Sequence, residues 1–200
     1  MPSMATDSPQ RHRLTVQEYY RMAEAGILRQ DARVELIEGE IIDMAPTGSA
    51  HAGTVDQLAQ SLQRAVHELA QIRIQNPLFL DDYSEPEPDI AVLRSRADFY
   101  KTEHPRPADV LLIVEVADTS LHYDLEKKLP LYARYGIPEV WVVDLQSRRL
   151  IRHRVPREGA YTQVDGPDVT AQIPVGGLDD VSIELAAIFA DPREGPPGRD

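Results

Sequence analysis

The 200-residue chain contains no cysteine. That excludes a disulfide framework and any thiolate metal site, and it fits a reducing cytoplasm, where the protein is expected to reside. There is no stretch of about 18 apolar residues, so no membrane span is expected. Residues 1–13 lack the apolar segment of a secretory leader. Aromatic residues make up 6% of the chain, with one tryptophan. Basic charge is also scarce, since 21 Lys and Arg face 33 Asp and Glu, for a formal net charge of -12. Proteins that grip nucleic acid through phosphate contacts are usually basic, so weak non-specific DNA affinity is expected without metal. The six histidines are scattered, with no pair at metal-ligand spacing.

What is present is the composition of a soluble folded protein, 42% hydrophobic and 27% charged. The length suits one globular domain. Residues 14–190 are read as that domain, with disordered tails at 1–13 and 191–200. Thr15-Val16-Gln17-Glu18 is a capping box, so a helix is expected from Val16 to Ala25, closed by Gly26. Arg33–Ile37 and Glu40–Met44 flank Glu38-Gly39 as a hairpin. His51 to Ala70 carries Val55, Leu58, Ala59, Leu62, Val66 and Leu69 at helical spacing. Ile72–Gln75 alternates like a strand, and Pro77–Leu80 reads as a further short one. Asp124 to Tyr135 is helix-like, with Pro130 an awkward guest inside it. Glu139–Asp144 reads as a strand, Leu150–Val155 as its antiparallel partner, and Tyr161–Val164 and Val181–Leu185 as weaker strands. The pattern is α/β, a mixed central sheet flanked by helices, with an N-terminal helix and hairpin.

Two hydrophobic runs organise the rest. Pro88-Asp89-Ile90-Ala91-Val92-Leu93 and Val110-Leu111-Leu112-Ile113-Val114-Glu115-Val116 both read as buried strands, and each carries a carboxylate that packing does not want. Burying an ionised carboxylate costs several kcal/mol unless something pairs with it. Glu115 has no cation beside it in sequence. A hard divalent cation shared by Asp89 and Glu115 would answer the charge, because Mg²⁺ takes one or two carboxylates together with water and substrate phosphate. The bland alternative is a turn-capping Asp89 and a Glu115 that faces solvent from an edge strand.

Glu35-Leu36-Ile37-Glu38-Gly39-Glu40-Ile41, Pro88-Asp89, Glu115-Val116-Ala117-Asp118-Thr119-Ser120, Tyr123-Asp124, Lys128, Tyr132 and Gly136 to Asp144 together resemble the Uma-two family of putative restriction endonucleases. That family lies within the PD-(D/E)xK nuclease superfamily. The resemblance implies a restriction-endonuclease-like core. It implies Asp89 and Glu115 as metal ligands, joined by the Val116 carbonyl. The superfamily lysine would stand at position 117, where this chain has Ala117; the resemblance assigns its role to Lys128, on the following helix. Glu35 would be a further acid, and His51 stands where the family often has histidine. Mg²⁺ is the implied cofactor, with Mn²⁺ able to replace it, double-stranded DNA the implied substrate, and a homodimer a plausible assembly. Arg148, Arg149, Arg152 and Arg154 lie in the densest basic run, read either as a phosphate-contacting edge or as a solvated hairpin.

Two other functions compete. One is a nuclease fold that binds nucleic acid or a protein without turnover, favoured by Ala117 and the acidic balance. The other is metal-free acid–base hydrolysis by two carboxylates, as in glycosidases, which the scarcity of aromatic residues speaks against.

Overall fold

The computed structural model describes residues 11–29, 31–168 and 170–189. Of the two expected tails, only residues 11–13 fall within this range, and they are irregular. Its contacts gather into two compact units, one drawn from the chain up to Met44 with Leu80–Pro86, the other from Ala45–Phe79 with Glu87 onward.

The smaller unit begins with α1 (Val16–Glu24), and its capping box is formed in full: the Glu18 amide donates to the Thr15 hydroxyl and the Thr15 amide to the Glu18 carboxylate. The hairpin of β1 (Val34–Ile37) and β2 (Glu40–Asp43) has the expected two-residue turn. Glu38 and Gly39 both take positive φ, 52° and 82°, as a tight hairpin turn requires. A side chain at position 39 would also collide with Arg13, so glycine is needed there for space as well as for φ.

The larger unit is built on α2 (Ser49–Val66) and a six-stranded sheet. Its strands are β3 (Ala70–Ile74), β4 (Ile90–Arg94), β5 (Val110–Ala117), β6 (Glu139–Asp144), β7 (Arg149–Arg157) and β8 (Ala160–Asp165), in that spatial order. All neighbours are antiparallel except β5 and β6. A parallel pair needs a crossover, and the helical stretch between Leu121 and Arg134 supplies it: α3 (Leu121–Tyr123), a π-helical turn (Asp124–Lys128) and α4 (Leu129–Arg134). One sheet face, with Val114, Val116, Trp141 and Val143, packs on Val55, Leu58, Leu62 and Val66 of α2. The single tryptophan, Trp141, is fully buried in this core. The short pair β9 (Gln172–Pro174) and β10 (Ser182–Glu184) adds Ile173 and Ile183 to the same core.

Several expected boundaries move. The long helix stops at Val66 because His67 turns to φ 46° and the chain reverses, leaving Leu69 exposed and Ala70 to open β3. Leu69 fitted the helical period by accident. Pro77–Leu80 forms no strand; Leu78 is buried without ladder pairing. The 124–135 helix is interrupted, as described below.

Candidate functional site

Asp89 immediately precedes β4, and Glu115 is the third residue from the end of the fully buried β5. The register pairs Ile90 with Val114, so Asp89 and Glu115 come opposite each other. Their polar groups interlock. The Val116 amide donates to Asp89 Oδ2 at 2.8 Å, and the Asp89 amide points to Glu115 Oε2 at 3.3 Å. Two acids separated by 26 residues meet on neighbouring strands.

Three elements close around the pair. From the first turn of α2, His51 Nε2 reaches Asp89 Oδ2 at 3.0 Å. Gln75, at φ 48° just past β3, donates its side-chain amide to Asp89 Oδ1 at 3.1 Å. From the crossover, Tyr132 donates its hydroxyl to Glu115 Oε1 at 2.7 Å, and Lys128 Nζ lies 3.4 Å from the same oxygen. Asp124 is buried on the same side and accepts from the Ser120 hydroxyl at 2.7 Å.

The electrostatics divide the two acids. Burial alone would raise Asp89, but the hydrogen bond and charge of His51, the Val116 amide and Gln75 outweigh it and hold this carboxyl below its usual range. Glu115 is pushed up to about 8, first by burial, with Asp124 and Asp89 adding to the rise while Lys128 and Tyr132 oppose it. One amine therefore offsets the surrounding acids only in part, and the Glu115 carboxyl stays raised.

The profile of the Uma2 family, described as "Putative restriction endonuclease", matches residues 16–186. The chain belongs to the Uma2 family. A crystal structure described as a putative nuclease belonging to DUF820 from Anabaena variabilis superposes with a TM-score of 0.68, at 15% identity, covering 88% of this chain and 97% of that one. The core is thus restriction-endonuclease-like. No curated protein matches the sequence.

In this Uma2 protein His51 contacts Asp89, Lys128 lies beside Glu115, and the two acids meet through their backbone amides. Ala117 is fully buried on β5, and the lysine beside Glu115 comes from the crossover instead. Glu35 lies in the smaller unit, buried on β1 opposite Ile42. The four arginines do not share a face. Arg152 and Arg154 both hold Asp165, Arg149 lies on the opposite side of β7 near Asp144, and Arg148 donates to the Phe189 carbonyl. Residues that sequence reasoning passed over are Gln75, Asp124 and Tyr132. Tyr132 entered only among the residues that carry the resemblance; its four-residue spacing from Lys128 was the available signal.

The donor set suits a hard cation. Among the described residues no three of His, Cys, Asp or Glu group as a metal cage, but Mg²⁺ seldom uses one, taking one or two carboxylates and leaving the rest to water and phosphate. A strand residue's N–H and C=O leave toward the same edge, and the Val116 amide points to Asp89. The Val116 carbonyl therefore leaves β5 on the side of Asp89.

No helix of the described residues is long and apolar enough to cross a membrane.

Proposed function

We propose that this Uma2 protein is a metal-dependent endonuclease that hydrolyses DNA phosphodiester bonds. The observation that carries the reading is the meeting of Asp89 and Glu115 beside a buried Lys128. Mg²⁺, or Mn²⁺ in its place, would be held by Asp89, Glu115 and the Val116 carbonyl, and when bound it supplies Lewis acidity at a phosphoryl oxygen and lowers the pKa of water. The rest falls to the chain. Positive charge at the site would draw the raised Glu115 carboxyl back toward its ionised form. Lys128 offsets negative charge developing on the phosphoryl group, acting in a site dry enough to strengthen the interaction. Tyr132 fixes the Glu115 carboxylate in one orientation. His51 and Gln75 hold Asp89 by its two oxygens and so set the direction of its remaining lone pairs. Double-stranded DNA is the favoured substrate. Glu35 stays a candidate as a further acid, a homodimer would supply two cuts, and the exposed Arg149 remains a candidate phosphate contact.

The test is direct. Purified protein should nick or linearise supercoiled plasmid with Mg²⁺ or Mn²⁺ and not with chelator. Asp89→Ala should abolish this without loss of the folded circular-dichroism spectrum. Failure to cleave any nucleic acid with either metal removes the reading.

A second reading has one observation behind it. The two oxygens of Asp89 already accept three bonds from His51, Gln75 and Val116, as in a fold that has exchanged turnover for binding. Calorimetry separates the two, because a binding-only module would show no Mn²⁺ heat that disappears in Asp89→Ala and Glu115→Gln.

A further inference from the structure

Asp124, Lys128 and Tyr132 are all buried, while Glu126 and Lys127 between them are exposed. In an α-helix each residue advances about 100°, so residues four apart lead one another by about 40° and a set of three fans over about 80°. Such a fan would turn Asp124 away from a carboxylate that Lys128 and Tyr132 both contact. The chain does not make that fan. Asp124 to Lys128 is a π-helical turn, closed by the Leu129 amide on the Asp124 carbonyl five residues back. A wider turn advances less per residue, so the step from Asp124 to Lys128 offsets the step from Lys128 to Tyr132.

The sequence supplies a cause for the wide turn. Pro130 has no N–H for the Glu126 carbonyl, and its ring would strike that carbonyl in a regular α-turn. Opening the preceding turn by one residue relieves both, and single π turns of this kind recur at functional sites.

We propose that Pro130 is a positioning residue: it holds the Asp124–Lys128 turn open and thereby lines up Asp124, Lys128 and Tyr132 over Glu115. The consequence for turnover rests on the endonuclease reading; the consequence for geometry does not.

Pro130→Ala in the full-length protein tests both. With the block removed, the helix should tighten, and the new amide at position 130 should bond to Glu126 and become protected from hydrogen exchange. Thermal stability should hold or rise, because a helix amide is gained. The kcat for Mn²⁺-dependent plasmid cleavage should fall about 100-fold, the usual scale for a misplacement of about 1 Å, with KM within about threefold. Glu126→Ala, on the exposed side of the same turn, should change neither. Stability and kcat falling together would reduce Pro130 to a packing role and overturn the proposal, and so would a position-130 amide that exchanges freely with kcat unchanged. Should the wild-type protein cleave nothing, the endonuclease reading falls on its own. Hydrogen exchange and a crystal structure of Pro130→Ala then decide the turn: a protected amide with Lys128 drawn off Glu115 sustains it, and a turn that stays wide removes it.

Discussion

Glu115 and Glu139 are both buried glutamates, 3% and 6% exposed, on the neighbouring parallel strands β5 and β6. The alternation of strand side chains puts them on opposite faces, since Glu115 lies level with Val142 and Glu139 shares its face with Trp141. Burial raises both carboxyls. Their surroundings differ. Glu139 accepts the Trp141 indole N–H at 2.6 Å and is favoured by the charges of Arg152 and Arg154, while Asp165 balances those guanidiniums. Gly176 lies so close that any side chain there would overlap the Glu139 carboxylate. Glu115 instead has acids on two sides and one amine. A buried acid with matched charge and no spare room is part of the scaffold. A buried acid in surplus negative charge, next to further oxygen donors, is suited to receive a cation.

The contrast can be broken at several points. The largest expected effect is on Glu115 itself. Glu115→Gln should lower metal-dependent kcat about 1,000-fold, near the upper end for loss of one electrostatic group, while Glu139→Gln under the same assay should leave it within about twofold. Equal losses in the two variants would erase the distinction.

Next in size is a stability effect confined to the other face. Arg152→Met removes the bidentate partner of Asp165 and a charge that favours Glu139. Asp165 is 40% exposed at its side chain, which lessens the cost. The loss should be about 2 kcal/mol, or roughly 6 °C in Tm. Differential scanning calorimetry measures it, and cleavage below the transition should be unaffected. A variant as stable as wild type would show that this network is ornamental.

A smaller effect concerns pH. With the Glu115 carboxyl pushed up to about 8, the metal-free protein carries a proton there at lower pH, and an incoming cation must displace it. Mn²⁺ affinity should therefore rise with pH, by at most about tenfold per unit, and level off above about 8. Calorimetric titrations at pH 6, 7, 8 and 9, in two buffers of different protonation enthalpy, would show the proton leaving. A flat profile would mean that Glu115 is ionised before the metal arrives.

The smallest is Gly176→Ala. The added methyl meets the Glu139 carboxylate and should cost about 1–3 kcal/mol through forced repacking, with Mn²⁺ affinity unchanged. An altered affinity would mean that the two faces are coupled through the sheet.

Much of this was legible in the chain. The β4 and β5 runs, the capping box of α1, the Glu38-Gly39 turn and the buried Trp141 all follow from local patterns, because alternation, apolar runs and turn chemistry are properties of neighbouring residues. The acids at 89 and 115 could be singled out because each sits in a run where an isolated charge is costly. The basic run divides between faces for the same local reason. Arg148, Arg149, Arg152 and Arg154 are close in sequence, but a strand sends alternate residues to opposite faces, and Arg152 and Arg154 were already committed to Asp165. Gln75 was passed over because nothing adjacent to it marks a carboxylate partner 14 residues away.

The sequence by itself determined the class of fold, the order of its strands and helices along the chain, and the two positions where a buried carboxylate had to be explained. It determined this because burial period, caps and turns are written over a few consecutive residues. Only the tertiary structure decided that Asp89 and Glu115 meet, that Lys128 and Tyr132 reach them from a widened turn, and that Glu139 on the next strand is closed off among arginines. Those outcomes depend on strand register and on which face each side chain takes, and register is fixed by contacts between segments far apart in the chain.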